Sequence, residues 1–142
     1  LNYVEAKMEQ GTLTQADVDL TINKLRDRVG MKRMDLSELS ANGMNARTEI
    51  RRERRVELAR EGQRWYDIIR WKQGNLLAQD VKGMKKSLAA VPAQVSKFAA
   101  DANGYIIVMS GRQFVETKHY LWPVPLIQVQ RNPALGQNPG WN

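Results

Sequence analysis

The segment from Arg47 to Glu61 constrains the fold most, because it interleaves arginines and glutamates through a stretch that contains no glycine or proline. On a helical wheel, Ile50, Arg54 and Leu58 form one row at i, i+4 and i+8. Since Ile50 and Leu58 mark this row as inward-facing, the segment predicts a helix that buries charge. Such charges are tolerated where carboxylates pair with them. The residues that we predict to be largely buried and paired are Arg54, Glu57 and Glu61.

The same helix has a second interpretation, a phosphate-binding stripe for nucleic acid, which the net charge of +7 and the sequence pI of about 9.9 favour. The stripe would consist of Arg51, Arg52, Arg54, Arg55 and Arg60. Carboxylates recur every four residues in the same helix, at Glu49, Glu53, Glu57 and Glu61. Because these carboxylates repel phosphates and pair with arginines, the pattern favours structural ion pairs and no nucleic-acid partner.

Composition places the chain among ordinary folded proteins. Its 142 residues, 42% hydrophobic and 26% charged, are enough for one compact domain and are not typical of disorder. The sequence has no apolar run near the roughly 20 residues that a membrane-spanning helix needs. The absence of cysteine excludes disulfides, thiolate zinc sites and cysteine nucleophiles within these residues.

The first 30 residues predict an antiparallel hairpin of two helices. The apolar positions of the first helix are Leu1, Val4 and Met8, and those of the second are Val18, Ile22, Leu25 and Val29. Gly11 is expected to cap the first helix, and Gly30 to end the second. Thr14 followed by Asp17 is close to the capping-box pattern at the start of the second helix.

Residues 31–73 continue the helical part of the chain. A short turn of helix is predicted around residues 35–39, followed by the charged helix over residues 45–61. Gly62 stops the charged helix, and a second, aromatic helix runs through Trp71. We expect its aromatic side chains to belong to the core, since helical aromatics are more often buried than bound to a ligand.

Residues 74–142 predict a loop-rich region. Gly83, Pro92 and Gly104 interrupt any sustained periodicity. Residues 105–109 and 114–122 are two β-favouring runs, and the short turn between them predicts a β-hairpin.

The end of the chain is punctuated by prolines. Pro125 is expected to open a short helix through Gln130, and the tail from Asn132 onward is expected to be irregular. Trp122 and Trp141 are the predicted anchors of this tail, with Trp141 mostly buried. The predicted fold is therefore mainly α: a tetratricopeptide-like hairpin (1–30), a charged helix pair (45–73), and a region (74–142) with a small β-hairpin and an irregular C-terminal tail.

The sequence carries little sign of catalysis. His119 is the only histidine, and no serine lies in a G-x-S-x-G pattern. Glu57 could pair with Glu53 or Glu61 as glycosidase carboxylates, but the neighbouring arginines would keep both acids ionised. The sequence has no calcium loop and no Walker-type glycine loop. We therefore predict no catalytic residue, no metal and no cofactor.

Three separated blocks of the sequence resemble the SusD/RagB family in the order in which that family has them. The central block is Ile50–Leu58 (IRRERRVEL), Glu61–Asp67 (EGQRWYD) and Arg70–Lys72 (RWK). The preceding block is Leu1–Ala6 and Ile22–Met31, and the last is His119–Pro125 (HYLWPVP), Asn132–Pro133 and Gln137–Trp141 (QNPGW). The structural signature that we take from the resemblance is Arg51, Glu53, Arg54, Glu57, Glu61, Gly62, Arg64, Asp67, Arg70 and Trp71.

This resemblance implies the C-terminal region of a non-enzymatic nutrient-binding lipoprotein. Such a protein is α-helical, is attached to the extracellular face of the outer membrane only through a lipid on an N-terminal cysteine, and binds oligosaccharides or other nutrients. It acts with a TonB-dependent transporter of the SusC type. The chain contains no cysteine, so we expect it to be a fragment that lacks the anchor and that self-associates through the surface its missing part would cover.

If ligand contacts lie within these residues, we expect them in the loop-rich region. The candidates are Tyr105, Arg112 and Phe114, because aromatic faces and planar polar side chains hold sugars. For Tyr105 and Phe114, packing inside the hairpin is the favoured alternative. The other function class that remains open is a helical scaffold that binds protein or nucleic acid through its basic surface.

Overall fold

The computed structural model describes residues 1–141 and divides the chain into two units, the first ending at Arg64 and the second beginning at Trp65. The described residues contain ten α-helices and one two-stranded antiparallel sheet, which confirms the mainly α class. The helices of the first unit are α1 (Asn2–Glu9), α2 (Gln15–Leu20), α3 (Ile22–Arg28), α4 (Leu36–Ala41) and α5 (Ala46–Glu57). Helix α6 (Gln63–Arg70) includes the boundary between the units.

Side-chain caps start three of these helices. The Thr14 hydroxyl accepts the Asp17 N–H at 3.2 Å while the Asp17 carboxylate accepts the Thr14 N–H at 3.0 Å, which confirms the capping box at α2. Asp35 caps α4 and Asn45 caps α5 in the same way, each accepting an N–H from the first turn. Each cap satisfies a donor that the helix leaves open and contributes about 1 kcal/mol.

The core of the first unit is aliphatic, and all its members are almost completely buried: Val4, Val18, Ile22, Met34 and Ile50. One polar side chain, Asn23, is also fully buried there. Asn23 accepts the Met34 N–H at 2.6 Å and donates to the Met34 carbonyl at 3.0 Å. Because both halves of its amide are bonded, Asn23 fixes the loop before α4 without leaving a buried group unsatisfied.

The prediction of one continuous helix with an apolar face from Val18 to Val29 is wrong. The helix breaks at Thr21, which separates α2 from α3, and Val29 is 59% exposed. The Thr21 hydroxyl donates to the Asp17 carbonyl at 2.6 Å. Because this local bond gives the backbone an alternative to the helical ladder, the chain changes direction here.

The second unit consists of short elements. They are α7 (Asn75–Ala78), β1 (Val81–Lys85), α8 (Pro92–Val95), β2 (Tyr105–Met109), α9 (Glu116–His119) and α10 (Leu126–Arg131), with 3₁₀ turns at Lys86–Leu88 and Pro133–Leu135. Strands β1 and β2 pair antiparallel with the register Val81↔Met109, Lys82↔Ile107 and Lys85↔Tyr105. The register shifts twice, so the pairing is irregular along its length.

Strand β2 agrees with the prediction for residues 105–109, but its predicted partner, residues 114–122, is wrong. That segment contains helix α9, and β2 pairs with β1 instead. The Phe114 ring packs on Gly74, where an added Cβ would lie 2.0 Å from the ring, so side-chain contacts and not a strand ladder hold this segment. Strand β1 contains Gly83 and two lysines, Lys82 and Lys85, which gave it a weak β signal.

The tail agrees with the prediction in its backbone and in one of its two predicted anchors. Helix α10 begins directly after Pro125, as predicted, and only a short 3₁₀ turn follows it in the described residues. Trp122 is 75% exposed, so its predicted role as a buried anchor is wrong. Trp141 keeps most of its surface out of solvent, as predicted, and its indole N–H donates to the carbonyls of Lys118 at 3.1 Å and Leu121 at 2.9 Å.

Candidate functional site

The second unit contains an open cavity of about 420 Å³ with an aromatic lining. This volume lies in the range of roughly 300–1,000 Å³ that small-molecule sites occupy. The lining residues are Trp65, Leu77, Arg112, Gln113, Phe114, His119, Leu121, Trp122 and Trp141. We call this cavity the aromatic pocket.

The chain tail closes one side of the aromatic pocket. The two hydrogen bonds from Trp141 tie the tail to the end of α9. Gly140 has a φ of +78°, and a Cβ at this position would lie 2.9 Å from the Lys118 side chain. Glycine is therefore favoured at position 140 for two reasons: it adopts the left-handed backbone conformation, and it leaves room for the Lys118 side chain. The Lys118 ammonium then lies 4.2 Å from the centre of the Trp141 ring, a cation–π distance.

Phe114 and His119 form the inner wall. Their rings meet edge to face with centroids 5.4 Å apart, and Phe114 makes a similar contact with Tyr120 at 4.8 Å. The Tyr120 hydroxyl accepts the Gly74 N–H at 2.9 Å, which fixes the ring on the buried backbone beneath Phe114. Because these rings brace one another, the inner wall is preorganised.

The outer wall is open to solvent. Trp122 exposes 75% of its surface and Trp65 41%. Exposed tryptophan faces at the edge of a concave site are available to stack on the apolar face of a ligand. The pocket therefore combines a braced inner wall with accessible aromatic faces.

The polar groups of the pocket are donors more than acceptors. Arg112 and Gln113 come from the irregular segment before α9, and His119 comes from α9 itself. The His119 Nδ1 accepts the Val115 N–H at 2.9 Å, which leaves its Nε2 as the nitrogen that can donate to a ligand. No aspartate or glutamate is among the lining residues. Such a set can bind hydroxyl or acidic oxygens but contains no acid–base carboxylate pair.

The structure brings two of the three predicted ligand residues together. Arg112 and Phe114 both line the aromatic pocket. Tyr105 lies on β2, 41% exposed, and is not among the lining residues. The ligand-binding role of all three stays a prediction.

Sequence reasoning missed the tryptophans of this pocket. Trp65 was assigned to the core of an aromatic helix, and Trp122 and Trp141 to anchoring the tail. The available signal was their number, since four tryptophans in 142 residues is a high content for this length. Their convergence depends on tertiary contacts that no local pattern encodes.

A second cavity, of about 600 Å³, lies in the first unit and is polar. Its lining residues are Leu1, Asn2, Tyr3, Leu25, Arg54, Glu57, Leu58, Glu61 and Gln63. Arg54 donates to the Asn2 side-chain oxygen at 2.6 Å and lies 3.9 Å from the Glu5 carboxylate. Arg54 and Glu57 of this lining are committed to internal contacts, so this cavity is the weaker candidate for a ligand site.

The charged helix α5 is fixed by pairs with other helices of the first unit. Arg26 on α3 contacts Glu53 at 2.7 Å, with side chains only 10% and 14% exposed. The other pairs of this kind are Arg28–Glu57 at 2.7 Å, Arg51–Glu9 at 3.1 Å, Arg47–Glu9 at 3.1 Å and Arg54–Glu5 at 3.9 Å. Within α5 itself, Arg52 pairs with Glu49 at 2.5 Å. The glutamates therefore bind helices together more than they pair along one helix, and these pairs oppose the phosphate-binding interpretation.

The prediction of a buried trio is partly wrong. Arg54 is buried and bonded, and Glu57 is partly buried and paired, but Glu61 is exposed. The helix ends at Glu57, and Arg60 and Gly62 both have positive φ values. Because the chain turns there, Glu61 leaves the inward-facing row that a continued helix would have given it.

The remaining signature residues have structural contacts. Asp67 is buried and pairs with Arg70 at 2.9 Å one turn along α6. The Arg70 guanidinium in turn lies 4.9 Å from the centre of the Trp71 ring. Arg64 is partly buried, and Gly62 supplies the left-handed turn before α6.

The described residues give no indication of a metal site or a membrane span. Among residues 1–141, no three potential metal-binding side chains of histidine, cysteine, aspartate or glutamate cluster together. None of the helices over the same residues has both the length and the apolar character to cross a bilayer.

Comparisons with known proteins give a family and a fold. The model of the SusD family matches residues 1–141. A SusD-like carbohydrate-binding protein from Bacteroides fragilis is 30% identical, with a TM-score of 0.69 over 94% of this chain and 26% of its own. A SusD-like protein from the same organism is 28% identical, with a TM-score of 0.70 over 97% of this chain and 23% of its own. No similar protein was found among curated ones. The chain thus spans about a quarter of the length of these solved structures.

Proposed function

Because this chain belongs to the SusD family, a family of non-catalytic binding proteins, we propose that it takes part in binding a nutrient glycan at the bacterial cell surface. In this proposal the protein lies on the extracellular face of the outer membrane, attached by a lipid. It delivers the glycan to a TonB-dependent transporter of the SusC type.

The observation that carries the proposal is the aromatic pocket. Its tryptophan faces suit the apolar C–H faces of pyranose rings, while Arg112, Gln113 and His119 supply donors for ring and hydroxyl oxygens. One structurally similar protein is described as carbohydrate-binding. A pocket rich in aromatic faces and poor in carboxylates fits binding better than hydrolysis.

The affinity of the chain by itself is expected to be low. It spans about a quarter of the length of its solved relatives, so other parts of a full-length protein contribute contacts in this proposal. We expect a dissociation constant on the order of 1 mM for an oligosaccharide, which corresponds to about −4 kcal/mol. NMR titration of the chain with neutral oligosaccharides, such as maltohexaose, xylohexaose and galactotriose, measures affinities in this range.

The matched variants are Trp122→Ala and Leu126→Ala. Both side chains are highly exposed in the second unit, 75% and 68%, but only Trp122 lines the pocket. We expect Trp122→Ala to weaken binding at least fivefold, because it removes an open stacking face, while Leu126→Ala binds like the parent. Circular dichroism should show that neither variant loses structure. Equal binding by both variants would remove the pocket from the proposal.

Salt dependence separates this function from the alternative of nucleic-acid binding. Binding of a neutral glycan should change less than twofold between 50 and 300 mM NaCl, since no ion is exchanged. A surface that neutralises several phosphates would lose affinity steeply over the same range. Tight, salt-sensitive binding of a DNA or RNA oligonucleotide would favour the basic scaffold.

A further inference from the structure

We infer that the aromatic pocket selects a saccharide that carries an acidic group, a carboxylate or a sulfate ester, and that Arg112 binds this group. The inference rests on the proposed function, since it names the class of glycan for the same pocket. It follows from the charge of the lining, the free donors of Arg112 and the charge of the surrounding unit.

The first argument is that the residues lining the pocket carry a positive net charge. Arg112 is its one permanently charged residue, and no aspartate or glutamate stands beside it in the lining. A neutral sugar accepts hydrogen bonds from a guanidinium but forms no ion pair with it. An acidic sugar gains a charge-assisted pair, which is frequently bidentate and roughly twice as strong as a neutral hydrogen bond.

The second argument is that Arg112 keeps most of its donors. Within residues 1–141 its side chain makes one hydrogen bond, from Nη1 to the Gln79 carbonyl at a long 3.4 Å, and no salt bridge. By contrast, Arg26 in the first unit is held by the Glu53 carboxylate through two donors, at 3.2 and 2.7 Å. Arg112 is partly buried and still has four of its five N–H groups to offer.

The third argument is that the unit containing the pocket has a large positive net charge. From Trp65 onward the sequence has nine lysines and arginines against four aspartates and glutamates, a net charge of +5. The first 64 residues have thirteen against eleven, a net charge of +2. Lys118, whose ammonium lies 4.2 Å from the centre of the Trp141 ring, places a further cation beside the pocket. The excess positive charge of the chain is thus concentrated in the unit that contains the pocket, and it attracts anions.

The test compares saccharides that differ only in their acidic group. The probes are trigalacturonate, the neutral α-1,4-linked galactotriose, and the same trisaccharide carrying a 6-sulfate, each titrated into the chain by NMR at 50 mM NaCl. We expect at least one of the two acidic probes to bind tenfold tighter than galactotriose. Preference for the uronate alone assigns a carboxylate, and preference for the sulfated sugar alone assigns a sulfate.

The variants Arg112→Gln and Arg131→Gln separate the pocket from the overall charge. Each removes one positive charge from the second unit, but Arg131 is exposed on α10 and does not line the pocket. We expect Arg112→Gln to reduce the preference for the acidic sugar over galactotriose to less than twofold, because glutamine can donate hydrogen bonds but carries no charge. Arg131→Gln should keep most of the preference.

The outcomes distinguish this inference from the proposed function. If all three sugars bind equally well, or if the preference survives in Arg112→Gln, the pocket binds glycans without selecting acidic ones and the inference is wrong. If none of the sugars binds, or if binding is insensitive to Trp122→Ala, the pocket is not a glycan site, and the inference fails together with the pocket's part in the proposed function.

Discussion

The two units of the chain use their residues in opposite ways. The first unit has a continuous aliphatic core around Ile22 and Ile50, and its charged residues pair across helices. The second unit has short elements, and most of its large apolar side chains remain exposed, including Trp122, Leu88 and Leu126. Most contacts of the first unit therefore stabilise its fold, whereas the second unit leaves many apolar side chains available to a ligand or partner.

This difference explains why the candidate site lies in the second unit. A pocket requires side chains that are ordered but not yet saturated with contacts. Arg112 meets this condition, whereas the comparable Arg26 is held by the Glu53 carboxylate and the Lys32 carbonyl. Aromatic residues meet it as well, because Phe114 is braced from behind while Trp122 stays open.

The largest expected effect comes from the aliphatic core. Ile22→Ala removes a side chain that is completely buried among apolar neighbours, and it should lower the free energy of unfolding by about 2–5 kcal/mol. Urea denaturation followed by circular dichroism measures the change. The matched control is Leu20→Ala, since Leu20 is two residues away and 66% exposed, and it should cost less than about 0.5 kcal/mol. Equal effects would mean that the first unit has no stabilising core.

A smaller effect is expected from the helix–helix ion pairs. Glu53→Ala leaves Arg26 nearly buried without its carboxylate, and we expect a loss of about 2 kcal/mol, between the values for surface and buried pairs. Glu57→Ala is the matched control, because its partner Arg28 is 61% exposed and water can replace the lost contact. We expect less than about 1 kcal/mol there. Urea denaturation should rank the two variants in this order, and the reverse order would contradict the burial argument.

Local chemistry in the sequence predicted most elements of the first unit. The capping box at Thr14 and Asp17, the short helix near residues 35–39 and the inward position of Ile50 follow from local sequence alone, and the structure has each of them. The prediction failed at two positions where the backbone leaves the helical conformation. The Thr21 hydroxyl broke a periodic helix, and the positive φ of Arg60 moved Glu61 out of its row.

Non-local contacts limited prediction in the second unit. Strand β2 had a clear β-favouring sequence, but β1 contains Gly83 and lysines, and strand pairing depends on context more than on propensity. The aromatic pocket joins Trp65 to Trp141, residues far apart in sequence that share no pattern. Arg112 and Phe114 were chosen as ligand candidates by their chemistry, and the sequence did not predict that they would line one pocket.

The smallest effect, and the one that refines the comparison most, concerns acid stability of the first unit. Hydrogen bonds from the Thr14 hydroxyl, the Tyr3 hydroxyl and the Thr14 N–H lower the pKa of Asp17 from 3.8 to about 2. Since the folded pKa is depressed, the stabilisation is present above pH 4 and is lost as the pH falls from about 4 to about 2. Asp17→Asn should therefore be less stable than the parent at pH 5, and the difference in urea midpoint should shrink toward pH 2. A difference that stays constant over this range would mean that the charge of Asp17 contributes nothing and that the cap acts through geometry alone.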